Sequence, residues 1–424
     1  MRAAPSLLLI ASTAVLFLGG APAFAFDEFS DGYSPANFIL RTDGLSLTWK
    51  GELEVEFHDI EGEGGPGHDS PTDTKTLGTR SPFVELDSFW LAIRLGLGEY
   101  VGFFSILDFR PDGARLGAAF ADFRMASPGW LHHHMEAGYH TPFVKIDRRT
   151  ERYPLIGTAY WREPELHLTY EARLDIARRT SLEAGLTLAM MRPLAPTGVQ
   201  ESTTEAGTIN ILGLGPAETF SGNGPVGGAR LSLESFGVHL EAFGFVGRMA
   251  AEGGTDVLRS ALPNYRYLDG GDQTDRYGDF RWAGARLGYH DHNIHFWAET
   301  IVAQEDMLTR YGGYAQLSYA IPFSIPGGWL PALEPLVRVE TLRIQDSTAL
   351  QSNGQALRST APINAVSWDY DILTLALISQ LYRDLVRVRI EYYFIRERNG
   401  VAALSLNDVP FANNELLLQL ELRF

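Results

Sequence analysis

The final stretch of the chain, NNELLLQLELRF, alternates between apolar and polar side chains. One parity carries Leu416, Leu418, Leu420, Leu422 and Phe424, and the other carries Gln419, Glu421 and Arg423, with Leu417 as its apolar exception. A period of two residues is typical of a β-strand with one apolar and one polar face, because successive side chains of a strand point to opposite sides. No other feature constrains the fold as strongly, since the pattern recurs along the whole chain.

The same alternation marks LSLTWKGELEVEFH (45–58), LHLTYEARLDI (166–176) and LVRVRIEYYF (385–394). Together with weaker examples it predicts about sixteen strands, most of them roughly 9–12 residues long, which is the length that a tilted strand needs to cross a bilayer. The predicted strands lie at 45–58, 83–97, 100–110, 116–126, 132–141, 166–176, 181–191, 229–236, 238–247, 280–289, 294–303, 311–321, 333–343, 368–381, 385–396 and 414–424.

The connections between these segments alternate between long and short. The longest lie near 59–80, 142–165, 192–228, 248–279, 344–365 and 397–413. A soluble sandwich would bury its apolar face in a core of mixed large residues. Here the other face stays charged on nearly every strand, as expected of a wide membrane barrel whose charged face lines water and whose apolar face meets lipid. The pattern therefore predicts an all-β, transmembrane, up-and-down antiparallel β-barrel with long extracellular loops, short periplasmic turns and a water-filled interior.

The first 25 residues, MRAAPSLLLIASTAVLFLGGAPAFA, have the pattern of a secretory signal peptide. Arg2 precedes an apolar core of about 12 residues, shorter than the roughly 20 that a membrane-spanning helix needs, and Ala23-Phe24-Ala25 forms a small-residue cleavage site. We expect cleavage after residue 25, a short periplasmic segment at 26–44, a barrel at 45–424, and a place in the outer membrane of a Gram-negative bacterium.

Composition excludes several kinds of protein. The formal net charge is −17, which argues against nucleic acid as a partner, and the chain has no Cys for a disulfide framework or a thiolate site. No G-x-S-x-G or comparable catalytic setting occurs, so that we expect a protein that is not an enzyme and needs no cofactor.

The sequence also contains two groups of potential metal ligands, one of histidines and one of aspartates. His132, His134 and His140 share the polar face of one predicted strand and His133 points away. Nothing in the sequence supplies a third ligand for a pair of these imidazoles, and we expect no metal there. Asp269, Asp272, Asp275 and Asp279 lack the spacing of a calcium loop and are expected to be solvated.

The stretch GYHTPFVKIDRRTERYPLIG (138–157) resembles the strand and inward loop of the phosphate-selective porin O and P family, and the tail NNELLLQLELRF is similar as well. The resemblance implies a sixteen-stranded homotrimeric porin. The chain departs from the family in lacking a clear ladder of lysines and arginines, so selectivity for phosphate does not follow. Phe424 is similar to the terminal aromatic residue that outer-membrane proteins present to the barrel-assembly machinery.

The resemblance implies that loop 142–165 folds inward as a pore constriction. We expect its basic residues to raise the local concentration of anions. The constriction residues are Lys145, Arg148, Arg149, Arg152 and Arg162. Strand parity places further bases on the lumen wall, among them Lys50, Arg94, Arg173, Arg338, Arg387 and Arg389. Small outward residues at Gly117, Ala119 and Ala121 suit a trimer contact better than outer-membrane lipid.

These expectations describe a porin for passive diffusion of small hydrophilic solutes, with anions such as phosphate as one option. A non-selective or carbohydrate-type porin stays open as an alternative. A barrel enzyme and a plugged structural barrel are the remaining alternatives.

The loop lengths predict the orientation of the barrel. Because the chain has no Cys, single-cysteine variants of Thr74, Glu205 and Asp272 should react with an impermeant maleimide on intact cells. Variants of Asn293 and Gly328 should not react until the outer membrane is opened. Labelling of the second set from outside would reverse the predicted topology.

Overall fold

The alternating segments form one antiparallel sheet in a computed structural model of the chain. The structure describes residues 38–42, 44–60, 82–98, 100–110, 113–125, 129–141, 149–161, 165–191, 194–198, 210–214, 224–248, 279–291, 293–305, 308–323, 330, 332–344, 369–382, 385–398 and 414–424. The sixteen long strands are β1 Leu45–Ile60, β2 Phe83–Leu97, β3 Val101–Arg110, β4 Gly113–Met125, β5 Leu131–His140, β6 Glu165–Ala177, β7 Thr180–Met191, β8 Gly224–Ser235, β9 Val238–Arg248, β10 Asp279–Asp291, β11 Ile294–Glu305, β12 Leu308–Tyr319, β13 Ala332–Ile344, β14 Asp369–Leu381, β15 Val386–Arg398 and β16 Glu415–Arg423.

Each strand pairs with its neighbours in the chain, and β16 pairs with β1, so that the sheet closes into a sixteen-stranded barrel. All sixteen predicted strands are present. Their ends differ by a few residues, the largest difference being the start of β8 at Gly224 instead of residue 229. No helix among the described residues is long and apolar enough to cross a membrane.

Four short strands complete the described structure. Phe38–Thr42 pairs with the first residues of β1, and Ile321–Pro322 extends β12 alongside β13. Leu194–Gly198 and Asn210–Leu214 form a hairpin between β7 and β8, and the second of them packs against a π-helical turn at Gly157–Trp161.

The two faces of each strand differ in composition as the alternation predicts. In β6, Leu166 and Leu168 are 44% and 47% exposed on the outer face, whereas His167 and Thr169 are 5% and 3% exposed on the inner face. The outer face of the barrel is thus apolar and fits a hydrocarbon environment, while the inner face carries the charged groups.

The barrel closes where the end of the chain meets the middle of β1. Residues 52–60 of β1 pair with β16, and residues 45–49 pair with the short strand Phe38–Thr42. Between them, Gly51 N donates to Phe424 O at 2.7 Å and Phe424 N donates to Gly51 O at 3.0 Å. The Phe424 ring lies over Gly51 on the outer surface and stacks at 5.9 Å on Phe89. The terminal aromatic residue therefore covers the junction of β1 with β16, which is called the seam below.

The outer face of β4 carries two small residues, Ala119 and Ala121. Ala119 lies between Ser105 of β3 and Tyr139 of β5, and Ala121 lies between Phe103 of β3 and Ala137 of β5. The pairing with β3 shifts by one residue beside this patch and leaves Gly117 in a β-bulge. Side chains this small contribute little surface to a contact with lipid chains.

The seam yields a test of close packing. An added Cβ at Gly51 would lie 2.4 Å from the Phe424 ring, and overpacking of this kind costs about 1–3 kcal/mol. Gly51→Leu should lower the temperature at which the folded barrel converts to the slower-migrating unfolded band in a gel. Gly227→Leu is the control, because no atom lies within 4 Å of the Cβ position at Gly227. Equal unfolding temperatures for the two variants would show that the ring does not seal the seam.

Candidate pore constriction

Residues 149–161 follow the inner wall of the barrel on the side formed by β10 to β16. Their backbone is held by carboxylates and hydroxyls that project from the strands. Glu151 N donates to both oxygens of Glu391 at 3.0 Å, and Leu155 N donates to Glu340 at 2.7 Å. Charge-assisted hydrogen bonds of this kind are stronger than bonds between neutral groups, so they anchor the segment to the wall.

Arg152 forms the central ion pair of the segment. Its Nε donates to Glu415 at 2.6 Å, its guanidinium lies 5.6 Å from the centre of the Tyr393 ring, and only 9% of the residue is exposed. Glu415 also contacts His58 Nδ1 at 2.7 Å. The positive charge of Arg152 is therefore balanced by a wall carboxylate and faces little solvent.

Arg338 supports the same turn of the segment from the wall. Its side chain is fully buried, and its Nη1 donates to the carbonyl of Arg152 at 3.0 Å and to the hydroxyl of Thr150. Its Nε donates to Glu340 at 3.1 Å. A buried guanidinium needs such acceptors, because an unpaired buried charge is very costly.

Arg389 and Gln419 hold the side chain of Glu151. Arg389 Nη1 and Gln419 Nε2 both donate to Glu151 Oε2, and Arg389 also contacts Glu421 at 3.0 Å. Arg387 pairs with Glu421 at 3.2 Å. The three predicted lumen bases on this wall, Arg338, Arg387 and Arg389, are thus all buried in ion pairs.

The second half of the segment packs as a small apolar core. Leu155, Ile156, Ala159 and Tyr160 are each at most 1% exposed. The Tyr160 ring meets Trp282 edge-on at 4.6 Å, and the guanidinium of Arg310 lies 4.8 Å from its centre. Burial raises the pKa of Tyr160 well above its ordinary value. The phenol is therefore neutral and acts as a packing group.

Arg149 is the other predicted constriction residue that the structure describes. Its Nη2 lies 3.0 Å from His295 Nδ1, and its Nη1 lies 3.8 Å from Glu334. Lys145, Arg148 and Arg162 lie outside the described residues, as do Asp269, Asp272 and Asp275. Of the five bases assigned to the constriction, Arg149 and Arg152 are therefore placed, and both stand beside wall groups.

The wall formed by β1 to β6 is more open. Lys50 Nζ lies 5.0 Å from the centre of the Trp90 ring. The side chains of Arg94, Arg124 and Arg173 are 31%, 32% and 47% exposed. Carboxylates accompany them: Asp122 lies 3.7 Å from Arg94 and 3.9 Å from Arg124, and Asp175 lies 3.0 Å from Arg173. These three arginines are thus partly open to solvent.

The histidines of β5 have separate partners. His132 contacts Asp175 at 3.0 Å, and His134 contacts Asp122 at 2.6 Å and Glu171 at 3.1 Å. His133 points outward to Tyr170. The structure thus does not join the adjacent histidines into one site.

Sequence reasoning missed two of the wall carboxylates that hold the segment. Glu415 shares the parity of Gln419 and Glu421 in β16, and Glu334 shares the parity of Arg338 in β13. Parity alone therefore places both on the inner face. Their contacts with Arg152 and Arg149 could not be read from it, because they join residues far apart in the chain.

No protein-family model matches the sequence. No curated protein matches it significantly either. Several solved structures share the fold. DcaP, an outer membrane channel of Acinetobacter baumannii, is 10% identical, with a TM-score of 0.53 over 91% of this chain and 99% of that chain. OmpF of Salmonella typhi, in complex with Daunomycin, is 10% identical, with a TM-score of 0.53 over 91% and 100%. An anion-selective porin from Comamonas acidovorans is 10% identical, with a TM-score of 0.50 over 89% and 99%. The chain has the fold of the outer-membrane porins.

The ion pair of Arg152 yields a prediction about the segment. Arg152→Met leaves Glu415 buried without its guanidinium, and breaking a buried pair in this way costs about 3–5 kcal/mol. The segment should detach from the wall part of the time, which would increase the current noise and the mean conductance of single channels. Arg343→Met is the control, since its pair with Asp371 is 23% and 38% exposed and worth about 1 kcal/mol at most. Unchanged currents in Arg152→Met would show that this pair does not position the segment.

Proposed function

We propose that the protein is a porin of the Gram-negative outer membrane, exported with a cleaved signal peptide at residues 1–25. It would form a water-filled channel for passive diffusion of small hydrophilic solutes, as a channel and not as an enzyme. The observation that carries this proposal is the asymmetry of the barrel interior. One wall is covered by residues 149–161, whereas the opposite wall presents polar side chains to solvent, among them Arg94 and Arg173.

In this proposal the loop at 142–165 narrows the channel, with Lys145, Arg148, Arg149, Arg152 and Arg162 as its basic residues. The contacts of Arg149 with Glu334 and of Arg152 with Glu415 support a structural role for these two. Because their charges are balanced by carboxylates, they add little to the field in the channel. Any contribution of the loop to selectivity then falls to Lys145, Arg148 and Arg162.

We propose a weak preference for anions that arises mainly on the wall of β1 to β6. Arg94, Arg124 and Arg173 keep about a third to a half of their side chains exposed there, beside Asp122 and Asp175. Positive groups in a narrow passage with low-dielectric walls raise the local anion concentration. The anion-selective porin of Comamonas acidovorans shows that this fold can support such a preference. Phosphate is one candidate solute.

A non-selective or carbohydrate-type pore is the competing candidate. It is favoured by the position of Asp122 within 4 Å of two arginines, Arg94 and Arg124, and by the direct pairing of Arg173 with Asp175. If these pairs persist in the channel, the wall is nearly neutral, and size alone selects the solutes.

We also propose a homotrimer that assembles through the small outer face of β4. Ala119 and Ala121 leave room there between the larger Phe103 and Tyr139, and such a surface suits the close approach of another protein surface better than outer-membrane lipid. Phe424 would serve the barrel-assembly machinery during folding and then lie over Gly51 in the finished seam.

Recordings in planar bilayers test these proposals together. The wild-type protein should give discrete channels that close in three equal steps, as a trimer requires. In a salt gradient the reversal potential should indicate a modest anion preference. The triple variant Arg94→Gln, Arg124→Gln and Arg173→Gln should shift that potential toward cations. The matched control is Arg248→Gln, Arg281→Gln and Arg396→Gln, which removes three exposed charges from strand positions of outward parity.

Each result has a distinct meaning. Absence of any channel from correctly folded protein would overturn the porin proposal. Equal reversal potentials for the two triple variants would overturn the assignment of selectivity to the wall of β1 to β6. Closing in a single step would argue against the trimer.

A further inference from the structure

Three potential metal ligands converge on the inner face of β5 and β6, apart from residues 149–161. Glu136 Oε1 lies 3.0 Å from His140 Nδ1 and 3.2 Å from His167 Nε2. The three ligand atoms all lie within 4.8 Å of one another. The imidazoles are buried, with 10% of the His140 side chain and 1% of the His167 side chain exposed. One side of the group is apolar, because the Phe120 ring lies 4.7 Å from the His140 ring.

A glycine between two of these residues explains why they meet. Residues four apart on a regular strand are separated by roughly 13 Å, which is too far for the direct contact between Glu136 and His140. Gly138, between them, has a φ of +151°, which residues with a side chain rarely adopt, so the strand is not regular there. An added Cβ at Gly138 would lie 2.4 Å from Ala119 O and 2.5 Å from Phe120 Cα, so this backbone conformation requires glycine. His167 is the cross-strand partner of Gly138, which places its ring beside Glu136 and His140.

Hydrogen bonds behind His167 fix the direction of its ring. Its Nδ1 lies 2.8 Å from the Thr169 hydroxyl, which lies 2.7 Å from the Thr187 hydroxyl, and Thr187 donates to the carbonyl of Leu168 at 3.4 Å. If each group donates to the next, the proton of His167 is on Nδ1 and the lone pair is on Nε2. Histidine ligands of metals have this arrangement, in which the outer nitrogen donates to a second residue.

The lone pair of His167 then belongs to the ring nitrogen that lies beside a carboxylate oxygen. At 3.2 Å, Nε2 lies beside Glu136 Oε1 without the geometry of a hydrogen bond, and it has no other hydrogen-bond partner in the part of the chain that the structure describes. Two acceptors this close repel each other unless a cation lies between them. Unlike the acidic clusters of the lumen, this group combines two imidazoles with one carboxylate.

We propose that Glu136, His140 and His167 form a binding site for a divalent transition metal, with Zn²⁺ as the best fit. Two histidines and one glutamate are a ligand set that Zn²⁺ uses, with a fourth position left for water or solute. Bonds of about 2.0–2.1 Å in a tetrahedron place ligand atoms roughly 3.3 Å apart, close to the 3.0 and 3.2 Å observed. The site lies on the lumen wall, so a bound ion would add positive charge there.

Titration of Zn²⁺ into the full-length protein in detergent, with any affinity tag removed, tests the site. Calorimetry should give one Zn²⁺ per chain, and Co²⁺ should give the intense visible absorption of tetrahedral coordination. The double variant His140→Ala and His167→Ala should abolish both signals. Glu136→Gln, which preserves the size of the side chain, should weaken binding strongly. Thr169→Val leaves the three ligands in place but removes the hydroxyl that bonds His167 and Thr187, and it should reduce the affinity on the order of 10–100-fold.

The double variant His132→Ala and His290→Ala is the matched control, since it removes two lumen histidines outside the cluster and should bind Zn²⁺ like the wild type. A wild-type protein that binds no Zn²⁺ would overturn the proposal. So would a double variant of His140 and His167 that is folded, as judged by heat-modifiable migration, and binds Zn²⁺ with wild-type affinity. In either case the three residues would be only a hydrogen-bonded cluster.

Discussion

The rest of the structure depends on the backbone pairing of β16 with β1. In hydrocarbon an unpaired N–H or C=O costs several kcal/mol, so a sheet can cross a membrane only if it has no open edge. Residues 52–60 supply the edge that β16 covers, and the two hydrogen bonds between Gly51 and Phe424 close the seam at the chain end. Once the sheet is closed, alternation sorts the side chains. On most strands the predominantly apolar parity faces outward and the parity that carries most of the charges faces a shared interior.

That interior is not a uniform channel. Residues 149–161 turn one wall into a packed region in which arginines and carboxylates are buried as ion pairs. Such pairs add little net stability compared with apolar packing, but removing one partner is costly, so they favour one position of the segment over others. Arg338 illustrates the effect, because it binds both a wall carboxylate and the carbonyl of Arg152. The position of the segment therefore depends on complementary charges, with the apolar contacts of Tyr160 as a second anchor.

Because of this division, the charged side chains of the interior do not all contribute equally to the electric field in the lumen. The formal net charge of −17 and the list of inward bases say little about permeation, because a paired and buried arginine contributes a small field to the open lumen. Arg338 and Arg389 belong to that group, whereas Arg94 and Arg173 keep a third to a half of their side chains exposed. The same lumen parity thus covers two populations of arginine, one buried in ion pairs and one partly exposed to solvent.

The sequence by itself determined the strands, their number and the face on which most side chains lie. The reason is that alternation with a period of two is a local property, which does not depend on how the barrel closes. The sequence also located a basic loop after β5. Only the tertiary structure decided which charges meet. Arg152 and Glu415 are 263 residues apart in the chain, and no local pattern indicates that pairing. The sequence placed His140 on the polar face but did not indicate that Glu136, His140 and His167 meet, because that depends on the backbone conformation at Gly138 and on the register of β5 with β6. Local alternation fixes which face a side chain occupies, but contacts across the lumen depend on how the whole barrel closes.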